Sequence, residues 1–150
     1  MGLSMETPDR VRAHTADSVN DYIDRQIDKR IRDYSHKGYG AISQRIEALE
    51  REWDIERVLE MNASFLAFSG LALGLLRDKR WLIVPGIVLP FLFQHAVQGW
   101  CPPLPVLRRL GFRTREEIDR EKYALKALRG DFVKEDSVPR AESALQAVKD

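Results

Sequence analysis

The side chains best suited to chemistry in this chain stand inside its least polar stretch. Between residues 61 and 107 the uncharged runs 61–76 and 81–107 are separated by the short basic turn 77–80. If the two runs fold back on each other as an antiparallel hairpin, positions whose numbers sum to about 157 face one another across it, which is helical geometry at equal rise on both arms. His95 then lies level with Asn62, with Gln94, Gln98 and Glu60 nearby. His95, Asn62, Gln94 and Gln98 are the candidate cofactor-binding set. An ionisable residue inside a membrane is a functional candidate by default, because leaving it unpaired there costs several kcal/mol, on the order of the insertion scales. Its chemistry would be proton exchange, a haem or metal ligand, or contact with a quinone headgroup. The competing reading is a neutral His95 hydrogen-bonded to Asn62, Glu60 or a headgroup, fixing helix register. It is the stronger of the two, because one histidine without a second ligand is a poor metal site.

Cys101 is the only cysteine, so no intrachain disulfide and no cysteine-rich zinc site can form. It follows a helix C-terminus, where the dipole disfavours a thiolate, which argues for a structural residue over a reactive thiol. No Ser/His/Asp set, phosphate loop, HExxH or CxxC is present, so no autonomous catalysis is expected.

The elements that position these residues follow from charge and periodicity. The segment MNASFLAFSGLALGLL is short for a span, at roughly 24 Å against a hydrocarbon core of about 30 Å, unless its helix extends back to Val58. Ala63, Ala67, Gly70 and Gly74 share one face and permit close helix approach, either within the chain or with a second copy. WLIVPGIVLPFLFQHAVQGW opens with Trp81 and closes with Trp100, as interface anchors do, and Trp53 sits where the first helix would enter lipid. Pro85 and Pro90 are tolerated in membrane helices, and the CPPLP run ends the second one.

The resulting expectation is an all-α chain: a short transmembrane helical hairpin flanked by amphipathic cytoplasmic helices. Residues 1–17 read as a flexible tail and 18–56 as amphipathic helices. The first of these starts at a capping pair, Ser18 with Asp21, and carries a stripe of Val19, Ile23, Ile27 and Ile31. After the glycines of SHKGYG a second helix presents Ile42, Ile46, Leu49 and Trp53, then either continues into the apolar run or bends near Asp54. Residues 57–101 form the transmembrane hairpin and 102–132 a loop and helix. That helix begins at Thr114 with Glu117, buries Ile118, Tyr123 or Lys122, Leu125 and Leu128, and stops at Gly130. Residues 133–150 are a loose end with a weak stripe of Ala141, Ala144, Leu145 and Val148.

The net charge of +1 gives no field towards nucleic acid, and no nucleic-acid partner is expected. The N-terminus has neither the apolar run of a secretory signal nor the residue-6 Ser or Thr of a myristoylation site, so the bilayer contact is expected from the hairpin itself. Arg45, Arg51 and Arg57 precede the hairpin and Arg108, Arg109, Arg113 and Arg115 follow it, seven basic residues against three in the turn. The excess places both termini in the cytoplasm.

The runs WDIERVLEMNASFLAFSGLALG and FQHAVQGWCPPLPVLRRLGFRT resemble the YgaP-like transmembrane domain family, a short hairpin found attached to some rhodaneses and also alone. The resemblance covers about residues 53–115 and rests on the Trp53–Arg57 start, the glycines of the first span, Gln94, and Gly99, Cys101 and Pro102. It implies a multi-pass hairpin of the bacterial inner membrane with a tendency to dimerise, in a family largely without assigned activity. His95 departs from the small hydroxyl residue common at that position, and Cys101 is not in a rhodanese-type loop, so sulfur transfer by this chain is not expected. The function read from the sequence is a membrane anchor or an assembly subunit, partnered by lipid and by copies of itself or a membrane complex. The alternative is a small-ligand or redox module binding haem, quinone or metal around His95.

Overall fold

The computed structural model describes residues 9–132, and the weak stripe at Ala141 to Val148 lies outside them. The described chain is all-α: α1 Arg10–Ala13, α2 Asp17–Ser35, α3 Tyr39–Arg51, α4 Ile55–Leu76, α5 Ile83–Gln98, α6 Leu104–Arg109 and α7 Arg115–Arg129, with a 3₁₀ turn at Lys79–Leu82 between α4 and α5. Two helical stretches, Tyr39–Leu76 and Lys79–Gln98, are long and apolar enough to cross a membrane. The described residues divide into two compact units, 9–24 with 53–116, and 25–52 with 117–132.

The first unit is built on the hairpin. The Asp54 side chain accepts from the Arg57 N–H at 2.8 Å and starts α4 as an N-cap, and α3 has already ended in extended backbone at Glu52, so α4 is a separate helix and not a continuation of α3. The arms pack where their residues are smallest. A methyl group on Gly70 would lie 2.6 Å from Pro85 Cδ, and one on Gly74 would lie 2.5 Å from Leu82 Cδ2. The register is thus within a residue or two of that expected, and the glycine face is filled by the chain's own second arm. Ala63 and Ala67 on the same face are half-buried. At the bend, Asp78 Oδ1 accepts from the Arg80 N–H, so the turn is longer than 77–80 and Trp81 belongs to it. Pro85 falls in the first turn of α5, where no N–H is needed; only Pro90 is truly internal.

α5 ends at Gln98, three residues before the expected limit at 101, and the prolines are not the cause. Gly99 adopts a left-handed φ of 76° and its N–H bonds the His95 carbonyl at 2.7 Å. A Cβ there would also meet the Cβ of Arg10 at 2.5 Å, so glycine is required on two counts.

The expected flexible tail over 1–17 is corrected from Asp9 onward. Asp9 Oδ1 accepts from the N–H groups of Val11 and Arg12 and caps α1. Arg10 then donates to the Ala96 carbonyl at 2.8 Å, placing a cation at the C-terminus of α5, where the helix dipole favours it. Val11 is buried with Ile55, Leu59, Cys101 and Leu104 in one apolar cluster, and Trp100, Leu107 and Phe112 pack against it. The base of the hairpin therefore sits in a small protein core formed by α1, the start of α4 and α6. The Ser18 capping pair is also corrected: α2 begins at Asp17, with the Ala16 carbonyl accepting from the N–H groups of Val19 and Asn20.

The second unit packs Ile42, Ile46 and Leu49 of α3 against Ile118 and Leu125 of α7, with Tyr34 alongside. α7 starts directly after Thr114 and stops at Gly130, as its sequence signals require. Of the alternatives at its apolar side, Lys122 is buried and Tyr123 exposed; Leu128 is also exposed.

Candidate functional site

The site lies at the base of the hairpin, and each of its elements is fixed by the contacts above. α4 and α5 are held at close range by Gly70 and Gly74, and the Gly99 cap turns the chain so that Cys101 and Pro102 close one end. Between them is a cavity of about 420 Å³. Its walls are carbon: Leu59, Ala63 and Leu66 from α4, Val88 and Phe91 from α5, and Pro102 beyond the cap. The polar residues bordering it are Asn62, His95 and Cys101, and no lysine or arginine lines it.

His95 is the expected candidate, and it does meet Asn62 around one space. The hydrogen bond between them does not form. Asn62 Nδ2 donates instead to the Val58 carbonyl at 2.8 Å, one helical turn back. Gln94 and Gln98 pair with each other at 3.4 Å, on exposed surface outside the cavity lining. The candidate set is therefore divided: His95 and Asn62 share the cavity, and the two glutamines do not. The imidazole is 8% exposed, and its Nδ1 is sealed from solvent with no hydrogen-bond partner. No group of three or more histidine, cysteine or acidic residues able to hold a metal ion occurs among the described residues.

Cys101 is 5% exposed, and burial pushes its thiol above the ordinary value, partly offset by a backbone hydrogen bond from Leu104. Both effects of burial, poor access and a scarce thiolate, suit the structural reading. The three tryptophans differ. Trp53 is exposed with the Arg57 guanidinium 4.5 Å from its ring centre, and Trp81 is exposed in the turn. Trp100 instead packs on the core at the base of the hairpin, so it is a core residue as much as an anchor.

Two polar centres were missed by the sequence reading. Arg108 is 1% exposed and donates to Thr15 Oγ1 at 3.2 Å, Asn20 Oδ1 at 2.9 Å and the Phe112 carbonyl at 3.1 Å. In the second unit Glu121 is fully buried, with Arg30 Nε at 3.2 Å and Arg45 Nε at 2.9 Å. Both are fixed by partners far away in sequence, which local periodicity does not register; the only available signal was a charge at a position in step with apolar neighbours, as Glu121 is with Ile118 and Leu125. No protein family, curated protein or solved structure matches this chain.

Proposed function

We propose that this chain is a small multi-pass protein of the bacterial inner membrane, with both termini in the cytoplasm, serving as a membrane anchor or assembly subunit without catalysis of its own. The observation that carries the reading is the outward face of the hairpin. Phe65, Phe68, Leu75, Leu76, Ile83 and Phe93 are all mostly exposed, Leu76 by 86%. Water-soluble monomers rarely show contiguous apolar patches above a few hundred Å², and a bilayer removes that penalty. The lengths also agree. The 22 residues of α4 span about 33 Å, and α5 with its 3₁₀ turn about 32 Å, against a hydrocarbon core of about 30 Å.

The core at the hairpin base, with Val11 and Leu104 packed on Ile55 and Leu59, gives the anchor something to present outside the lipid. Alkaline carbonate extraction tests the location: the protein stays with the vesicles, and release into the supernatant refutes the membrane reading. For topology, Asp78→Cys in a Cys101→Ala background is labelled by an impermeant maleimide from the periplasmic face; labelling only from the cytoplasmic face refutes the orientation. Purification in mild detergent gives an oligomer or a complex, and a lone monomer without co-purifying protein refutes the assembly role.

A further inference from the structure

We propose that the turn at the tip of the hairpin binds acidic phospholipid headgroups, in the phosphate layer of the leaflet it reaches. The proposal rests on the membrane placement above and deepens it, because the anchor then selects its lipid. Three observations carry it. The first is unmatched charge. Arg77, Lys79 and Arg80 are all exposed around the bend, with one carboxylate, Asp78, among them. Asp78 Oδ1 is committed to the backbone, accepting from the Arg80 N–H at 2.9 Å. None of the three cations forms an ion pair with a described residue, whereas Arg12 is paired with Asp24, Arg120 with Asp28 and Arg129 with Asp131.

The second is depth. Glu60, exposed, is the last charged residue of α4 before the bend, and from there to Arg77 the helix rises about 25 Å, against a hydrocarbon core of about 30 Å. Ile55 and Leu59 fix the start of α4 in the core at the hairpin base, so the helix cannot slide outward to push the turn into water. On the membrane placement, the turn therefore lies at the far hydrocarbon boundary and not beyond the headgroups. A short span of this kind is accommodated by its flanking basic side chains, which extend along the membrane normal to the phosphates. A water-soluble acidic partner would have to enter the headgroup layer to meet them; lipid phosphates are already there. The third is the neighbour. Trp81 is exposed within the same turn, and its amphipathic ring suits the headgroup level. The phosphate of a zwitterionic lipid comes with an ammonium that three cations repel, and an acidic headgroup brings none, so the turn prefers lipids of net negative charge.

The test uses the full chain in nanodiscs of phosphatidylglycerol and phosphatidylcholine in equal amounts, with brominated acyl chains on one lipid at a time. Bromine quenches tryptophan at short range, and the Trp81 signal is the difference between wild type and Trp81→Phe. Brominated phosphatidylglycerol quenches it more strongly than brominated phosphatidylcholine, with a relative affinity at the turn of roughly fivefold, the effect of one basic residue at an anionic surface. In the triple variant Arg77→Gln, Lys79→Gln, Arg80→Gln the two lipids quench equally. Arg109→Gln, exposed at the base of the hairpin, keeps the wild-type ratio. Both faces of the nanodisc carry the same lipids, so the direction of insertion does not affect the result. Inorganic phosphate, compared with chloride at the same ionic strength, leaves the preference in place; if phosphate alone abolishes it, the turn takes a free anion and the lipid proposal falls. Native mass spectrometry of wild type released from the same nanodiscs is independent of any variant's folding, and it finds phosphatidylglycerol adducts in excess over phosphatidylcholine. Equal quenching by the two lipids in wild type, equal adducts, a ratio unmoved by the triple substitution, or its loss in Arg109→Gln overturns the proposal. Each of these leaves the anchor reading standing, whereas an absence of Trp81 quenching by either lipid means that the turn does not reach a bilayer and refutes both.

Discussion

Replacing Arg108 with alanine should open the N-terminal part of the first unit while leaving the hairpin paired. The guanidinium is 1% exposed and joins α6 to Thr15 just after α1, to Asn20 in the first turns of α2, and to the Phe112 carbonyl. Asn20 in turn donates to the Arg12 carbonyl at 3.0 Å, so one side chain ties three segments together. Hydrogen bonds to a charged donor contribute about 1.5–3 kcal/mol each when measured singly, and they do not add. Truncating one member of such a buried network costs about 3–5 kcal/mol, because its partners are left without a donor. Read by hydrogen exchange with mass spectrometry on the purified protein in detergent, that loss lowers protection of the amides in α1 and early α2 by roughly 10²–10⁴-fold. Arg109→Ala, at an exposed neighbouring position, changes it by less than about threefold. Arg108→Lys falls between, since a lysine keeps the charge and loses the planar fork. Protection in Arg108→Ala within threefold of wild type would falsify the claim that this network holds the segment down.

Three further outcomes follow from the same coordinates. Gly74→Leu drives a side chain into Leu82 and splays the hairpin, at a cost of about 1–3 kcal/mol or more, whereas Gly86→Ala meets open space; thermal unfolding in detergent separates the two, and equal shifts would contradict the packing of the arms. Cys101 reacts with iodoacetamide at least tenfold more slowly in the native protein than in denaturant, read by intact mass; native labelling at the unfolded rate would remove its burial. Asp131 accepts two hydrogen bonds from Arg129, which hold its carboxyl below the ordinary value. Its stabilising contribution is therefore complete above the ordinary carboxylate range and fades as pH falls through the depressed value. The pair is near the surface, so Asp131→Asn removes only about 0.2–1 kcal/mol and that part of the acid dependence; a pH–stability curve identical to wild type would show that the pair contributes nothing.

The hairpin was legible in the sequence because its signal is long: two uncharged runs, a basic turn and a glycine face need no tertiary information. The same holds for the α3 stripe of Ile42, Ile46 and Leu49 and for the start and stop of α7, which depend on neighbours three or four residues away. α1 and α6 were not legible, since helices of four and six residues are too short to show a period. Arg10 illustrates the harder case. As a sequence position it is one charge among several near a proline, and its role as the cap on α5 exists only because residues 86 apart meet. Glu121 reads as another solvated glutamate in a helix rich in charge, and its burial beside Arg30 and Arg45 is likewise a long-range fact. At the candidate site, the level pairing of His95 with Asn62 was legible from hairpin register. What register could not say is that Asn62 satisfies its amide within its own helix.

That detail decides how the polar residues of the hairpin should be understood. α4 starts inside a protein core, with Ile55, Val58 and Leu59 buried, and from Met61 onward much of its surface is exposed. On the proposed membrane placement, a helix crossing from protein to lipid loses its polar partners at that boundary, which is where Asn62, Gln94, His95 and Gln98 would lie. Asn62 solves the problem by bonding back to Val58, which is open to any asparagine on a helix. The two glutamines solve it by facing out and meeting each other, four residues apart on the same helix. His95 takes neither option: its Nδ1 is sealed without a partner, whereas the Nδ1 of His14 lies 2.9 Å from the Arg10 carbonyl one turn back.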